Sequence, residues 1–193
     1  SIESESINEI IDSIESEDVG EWINFAAASA GAKIVGSNPE ARNSLRVIDG
    51  KKDTFMKNDC KADQWLIIEL SNAAKIKMIE LTMKELYSPR VAKINVYSRM
   101  ASMSKNTQLY PGHFQTSKWH FLTELKPENR KGTQHFTVIS RGWVKYLGIH
   151  IMEYHGMGTA CTINDISVFG LSPVNKLESL LEEAVQDEMA SGE

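Results

Sequence analysis

The run Trp65-Leu66-Ile67-Ile68-Glu69-Leu70, closed by Ser71-Asn72, is the clearest structural signal in this chain. Aromatic and β-branched side chains in so short a stretch read as a strand covered on most sides, near the middle of a core. Cys60, one of two cysteines, stands just before it in Asn58-Asp59-Cys60. Cys161 follows 101 positions later, directly ahead of Thr162 to Gly170, the last strand-like run. A bridge between them, if formed, joins an early strand to the final one.

Further runs of the same kind recur at Lys77 to Met83, Ala92 to Ser98, Trp119 to Leu125, Gln134 to Ile139, Tyr146 to Tyr154 and Ile163 to Phe169. In one of them Leu147, Ile149 and Ile151 alternate with Tyr146, His150 and Met152, the period of a strand with two distinct faces. Many short strands with little helix between them predict an all-β sandwich or jelly roll. The 193 residues, 41% hydrophobic and 24% charged, suffice for one well-buried domain. Arg99 to Ser117, with Met100, Met103 and Pro111-Gly112, reads as a long surface loop. Ala26 to Pro39 is rich in small residues, as close backbone packing requires, and holds a brief strand at Lys33 to Val35.

Both ends differ from this middle. Residues 1–21 carry eight acids and no base, residues 172–193 carry six acids and one lysine, and the middle holds twenty bases against twelve acids. Those bases are scattered rather than clustered with aromatics, so nucleic acid is not an expected partner. Ile7, Ile10, Ile11 and Ile14 fall at helical spacing, and so do Val174, Leu177, Leu180, Leu181, Ala184, Val185 and Met189. A short amphipathic helix is therefore predicted at each end, over 1–21 and 172–193, around a sandwich over 22–171. The C-terminal seam suits packing on the sandwich, on the first helix, or on a partner. No window approaches 18 apolar residues, and the chain opens at Ser1, which reads as a piece of a longer protein whose targeting or membrane segments lie elsewhere.

Catalytic motifs are absent from the sequence: no Gly-x-Ser-x-Gly, no His-Glu-x-x-His, no phosphate-cradling glycine loop and no Cys-x-x-Cys. His113, His120, His135, His150 and His155 lack ligand-like spacing. Gly156-Met157-Gly158 suits either an anion nest or a hairpin feeding the last strand. Asp49-Gly50 and Asp53 suit a tight loop whose carbonyls and carboxylates point inward, where a hard cation would be accepted, or an ordinary polar turn.

An ordered series of motifs carries a family resemblance. Asn24-Phe25-Ala26 to Gly31-Ala32, Asn38-Pro39-Glu40-Ala41-Arg42, Asp53-Thr54-Phe55-Met56 before Asn58-Asp59-Cys60, and the Trp65 to Leu70 strand resemble a SUN domain, more narrowly its Slp-like, osteopotentia-related (mid-SUN) branch. Agreement continues through Glu85-Leu86-Tyr87-Ser88, Val96-Tyr97-Ser98, Trp119, Gln134-His135-Phe136, Lys145-Tyr146 and Cys161 to Gly170. The likeness spans residues 22–171.

The resemblance implies a jelly-roll β-sandwich of galactose-binding-like type, acting as a non-enzymatic binding module. Its setting would be the lumen of the endoplasmic reticulum or the perinuclear space, with membrane attachment through segments outside this chain. Partners would be membrane or lumenal proteins, met during folding and quality control. It also implies a disulfide between Cys60 and Cys161, which an oxidising lumen permits. Related domains hold a monovalent cation in the loop before the first cysteine, which assigns Asp49, Lys52, Thr54 and Asp59 as ligand positions, largely through backbone carbonyls. The same edge is similar to the calcium-bearing edge of discoidin-like sandwiches, which implies glycan binding as the alternative. KASH-binding SUN domains use a long hairpin lid and tyrosines flanking the second cysteine. Here Glu85 to Lys93 is too short for such a lid, and Thr159 and Ile163 hold the flanking places, so KASH binding of that type is not expected. Glu85, Tyr87, Thr159 and Ile163 remain the expected partner-contacting positions. The short first helix does not resemble a trimerising coiled coil, which leaves the expected domain monomeric.

Overall fold

The computed structural model describes residues 22–103, 113–116 and 118–192. The expected helix over 1–21 and the centre of the expected loop over 99–117 lie outside them. Ten strands form the body of the described chain: β1 (Ile23–Asn24), β2 (Lys33–Ser37), β3 (Met56–Asp59), β4 (Gln64–Met83), β5 (Arg90–Arg99), β6 (His120–Leu125), β7 (Gly132–Thr137), β8 (Val144–His155), β9 (Ala160–Ile163) and β10 (Asp165–Leu171). One helix, α1 (Pro173–Ser191), follows, with proline in its first turn where a missing N–H costs nothing.

All pairings are antiparallel. One sheet runs β2-β4-β8-β5-β6 and the other β1-β10-β4-β7, with β3-β9 a separate ribbon. The predicted sandwich is thus observed, but β4 belongs to both sheets. Ser71-Asn72 does not end the strand. Trp65 to Leu70 and Lys77 to Met83, read as two strands, are halves of one 20-residue strand. Its first half pairs with β2 and β8 and its second with β10 and β7, with a register shift between Glu69 and Ala74. The Ser71 amide donates to the Phe25 carbonyl at 2.9 Å and Lys145 Nζ to the Leu70 carbonyl at 2.7 Å, so the crossing keeps its backbone bonds. Two polar residues therefore mark a bend between sheets rather than a turn.

Leu66, Ile68, Leu70, Ile79 and Leu81 of β4 meet Leu147, Ile149 and Ile151 of β8 and Ile166 and Val168 of β10 in the space between the sheets. On the opposite face Trp65, Ile67 and Tyr146 are buried too. They lie under Phe114 and Trp119 on the outer face of the first sheet. This second cover explains why Trp65 to Ile68 is apolar at every position instead of alternating, with Glu69 standing where the cover ends. The 99–117 stretch is accordingly pinned at both ends. Arg99 is buried, donates to the carbonyls of Ala101 and Ser102, and sits over the Trp119 ring, while the Phe114 ring stacks on Tyr97 with centroids 4.8 Å apart.

Gly148 makes room for that cover, since a Cβ there would lie 2.3 Å from Phe114 Cε1. Gly148→Ala is expected to cost about 1–2 kcal/mol by displacing the ring. The double variant Gly148→Ala/Phe114→Ala should be less destabilised than the sum of the singles, because the collision vanishes with the ring. Urea denaturation of the four proteins reads the coupling; strict additivity would show that the two residues do not oppose one another.

The last strand-like run is broken into β9 and β10 by Asn164, which is fully buried. Its Oδ1 accepts from the Lys84 amide at 2.7 Å, its amide N–H donates to the Thr82 carbonyl at 3.0 Å, and its Nδ2 donates to the Thr54 carbonyl at 3.1 Å. One residue, through its backbone and its side chain, thus ties the end of β4, the 49–60 loop and the last strands together.

Candidate functional site

The ribbon β3-β9 sets the geometry at one end of the sandwich. Asn58 pairs with Cys161, Asp59 with Ala160, and the Cys60 amide donates to the Thr159 carbonyl at 3.2 Å. Cys60 and Cys161 are joined in a disulfide with Cα atoms 5.1 Å apart, so the bond closes the end of a ladder the backbone has already aligned.

Two loops flank this closure. Residues 84–89 are all that connect β4 to β5, which leaves no room for a long hairpin lid. The turn from β8 to β9 is formed by residues 156–159, with Gly156 at φ +87°; β9 pairs with β3 and not with β8, so the two glycines turn the chain from one sheet to the ribbon rather than closing a hairpin. The loops touch: Ser88 Oγ donates to the Ala160 carbonyl at 3.1 Å, and a Cβ on Gly158 would lie 2.6 Å from Pro89 Cγ. Together they present Leu86 at 67% exposure, Tyr87 at 99% and Met157 at 99%. Side chains held this far into solvent add little to the core.

Beside the loops lies a polar cleft of about 460 Å³ lined by Pro39, Glu40, Arg42, Lys57, Asn58, Asp59 and Thr159. Its floor is rigid. Asn38 and Asn58, both buried, exchange amide hydrogen bonds of 2.8 and 3.2 Å, and Asn38 Oδ1 also accepts from the Trp65 amide at 3.1 Å. The Tyr154 hydroxyl donates to Gln64 Oε1, and Gln64 Nε2 donates to the Asp59 carbonyl at 2.9 Å. Burial pushes the Tyr154 hydroxyl well above its ordinary pKa, with the Gln64 bond opposing only part of that rise, so it stays a donor at every physiological pH. The cleft carries both signs of charge at its rim on an immobile base.

The partner-contacting positions divide. Tyr87 and Thr159 are exposed and Glu85 is half-buried, with its Oε1 3.4 Å from Asn164 Nδ2. Ile163 is a correction: it is 1% exposed, packed in the core, and offers nothing to a partner. Its place beside the cysteine carried the expectation, whereas its position in the alternation of β9 turns it inward. Leu86, Met157, Arg42 and Lys57 had not been singled out. A methionine between two glycines was the available sign, since such a side chain has no core to enter.

The side chains at the expected ligand positions of the 49–60 loop are engaged within the chain. Asp49 accepts from the Lys51 amide at 2.8 Å, from Thr54 Oγ1 at 3.1 Å and from Arg46 Nη1 at 3.2 Å. Burial works against its charge, but these donors outweigh it and hold the carboxyl below its ordinary pKa. Asp59 accepts from the Lys61 amide at 2.9 Å, Lys52 Nζ lies 3.9 Å from Glu80, and the Thr54 carbonyl takes the Asn164 amide. Among the described residues no group of three or more His, Cys, Asp or Glu is gathered as a metal site. The loop is closed by its own hydrogen bonds, which fix where its carbonyls stand.

Close by, Asp165 is buried on the outer face of the second sheet and accepts from Ser167 Oγ at 2.8 Å. Burial raises its carboxyl pKa against the Ser167 bond and the Lys52 charge, with Glu80 and Asp49 adding to the rise. A carboxyl whose folded-state pKa lies above its unfolded one lends stability below the unfolded value and loses it as pH rises through the folded one. Asp165→Asn is therefore expected to stabilise the fold at pH 7, by less than about 1 kcal/mol after screening. The gain should vanish near pH 3, where both side chains are neutral, when melting temperatures are compared across pH.

Comparison with known proteins decides the family. The profile of the family described as Sad1 / UNC-like C-terminal matches residues 37–172, most of the sandwich. The chain belongs to the SUN-domain family. Relatives of this SUN domain include SUN domain-containing protein 4 of Arabidopsis thaliana, 31% identical over 170 residues, covering 87% of this chain and 26% of that protein. The human SUN domain-containing ossification factor is 25% identical over 174 residues, covering 86% of this chain and 13% of that protein. Uncharacterized protein SLP1 of Saccharomyces cerevisiae is 28% identical over 158 residues, covering 80% and 25%. These are the relatives of the Slp-like, ossification-factor branch that the motifs resemble. The chain thus spans about a quarter or less of the length of these relatives.

Among solved structures, the family 32 carbohydrate-binding module of Clostridium perfringens NanJ, in complex with galactose, superposes with a TM-score of 0.54 at 16% identity over 76% of this chain and 98% of that one. An allantoicase superposes at 0.62, with 10% identity over 79% and 50%. At such identities the likeness concerns the fold, and the SUN domain is a jelly-roll sandwich of that galactose-binding-like type.

Proposed function

We propose that this SUN domain is a protein-binding module working in the lumen of the endoplasmic reticulum or the perinuclear space, binding membrane or other lumenal proteins through the loops beside its disulfide. The observation that carries the reading is the joint exposure of Leu86, Tyr87 and Met157 on two loops clamped to the Cys60–Cys161 closure. Apolar anchors on a rigid base, rimmed by the charges of Glu40, Arg42, Lys57 and Asp59, have the make-up of a protein interface: a greasy centre and a polar edge. An oxidising lumen is where such a bridge persists. The role is binding rather than catalysis, and the domain acts as a monomer held to the membrane by segments outside this chain. The short 84–89 connection argues against a KASH peptide held under a lid.

Photo-crosslinkers placed at positions 87 and 157, with position 141 as a control, test this in cells that secrete the chain into the endoplasmic reticulum. Discrete adducts with membrane or lumenal proteins are expected from 87 and 157, and Met157→Asp should remove those formed at 87. Equal labelling from all three positions sinks the reading.

A second reading, glycan binding, is favoured by the cleft itself, which is polar and rigid on a fold shared with a galactose-bound module. Glycan arrays with and without calcium separate the two. Dose-dependent sugar binding lost on Asp49→Ala or Arg42→Ala counts for the glycan.

A further inference from the structure

Helix α1 leaves the sandwich with an apolar stripe that nothing described covers. Leu177 is 60% exposed, Leu180 44%, Leu181 58%, Val185 54% and Met189 75%. At 3.6 residues per turn these side chains share one face over the length of the helix. Among the described residues no second helix lies along this stripe, and an apolar stripe of this kind is what a helix presents to a packing partner.

Charge selects the missing member. Pro173 to Ser191 contains five acids and one lysine. Glu182 borders the stripe on one side, Glu183 and Asp187 on the other, and Glu188 enters it near the far end, all exposed. Residues beside a helical seam set partner choice through the charges they meet across it. A second copy of α1 would bring acids against acids along both borders. Residues 1–21, with eight acids and no base, would repeat the same conflict. A bilayer with anionic headgroups is repelled likewise.

From this we infer that α1 is a docking helix for a basic amphipathic helix of another protein, one whose apolar seam is bordered by lysine or arginine. The site is separate from the loops beside the disulfide, so either can fail without the other.

The test uses the 1–193 chain and two synthetic three-heptad peptides with leucine at the seam positions, one bordered by lysine and one by glutamate. Fluorescence anisotropy at neutral pH should show the lysine-bordered peptide binding at least about tenfold more tightly, with the preference shrinking as salt rises. Glu182→Lys/Glu183→Lys/Asp187→Lys should invert the preference. Leu181→Glu/Val185→Glu should abolish binding and leave the melting temperature unchanged, which separates loss of docking from loss of fold. The inference is overturned by equal affinity for both peptides or by no binding of either. Self-association of the 1–193 chain in sedimentation equilibrium makes the occupant a second copy. Binding that emerges only after removal of residues 1–21 makes it this chain's own N-terminus, and partition of α1 into zwitterionic vesicles makes it a membrane; each of the three overturns the proposal too.

Discussion

Gly170→Ala should leave little folded protein at physiological temperature. A Cβ at this position would lie 2.1 Å from the Lys75 carbonyl oxygen and 2.9 Å from its carbon, inside the β10-β4 ladder where the register shifts between Phe169 and Gly170. The obstacle is backbone in the middle of the sheet and not the tip of a side chain, so no rotamer change relieves it. Either strand must move, and the bonds around the crossing of β4 move with it. The expected cost is about 3 kcal/mol or more, at the upper end of what added atoms cause in packed interiors. Gly142→Ala is the control, since a Cβ there meets nothing within 4 Å. If the two alanine variants melt within a degree or so of each other, the tight approach of β10 to β4 at Lys75 is wrong.

Loss of the disulfide should have an effect of similar size by a different route. Cys60→Ala/Cys161→Ala removes a cross-link spanning 101 residues, and releasing a loop of that length from the unfolded chain corresponds to about 4–5 kcal/mol in the chain-entropy model. The β3-β9 ladder survives in the folded state, so the loss falls on the unfolded chain's new freedom. A drop in melting temperature of roughly 10 °C is expected for a domain of this size. Reductant should lower the wild-type protein toward the variant and leave the variant unmoved. A melting point indifferent to both would mean that the bridge does not form in solution, and the oxidising-lumen setting would lose its support.

Much of this arrangement was legible in the residues, for reasons that also explain the misses. Trp65 to Leu70 announced a strand covered on both faces, and it is one; the alternation of Leu147, Ile149 and Ile151 announced their shared core face. The continuity of β4 was hidden because Ser71-Asn72 has the chemistry of a turn, while the amide bond to Phe25 and the ammonium bond to Leu70, both with residues remote in sequence, hold the backbone as it passes through. At the end bearing the disulfide, Tyr87 stands in solvent, where a contacting residue has to be, whereas Ile163 is buried. A place beside a cysteine is a matter of order along the chain, whereas burial depends on which way a four-residue strand faces. The Asp49 loop shows a different limit. Carboxylates and carbonyls in a tight turn can converge on an ion or on the chain's own amides, and sequence spacing is the same for both.

The single strand threaded through both layers also governs how the domain comes apart. Neither sheet is complete without β4, so neither has a stable existence once the other is gone, and a half-melted form with one layer intact has nowhere to rest. Unfolding should be all-or-none, with amides in both sheets exchanging at one common slow rate. A tug applied to either terminus would be resisted by the whole sandwich at once.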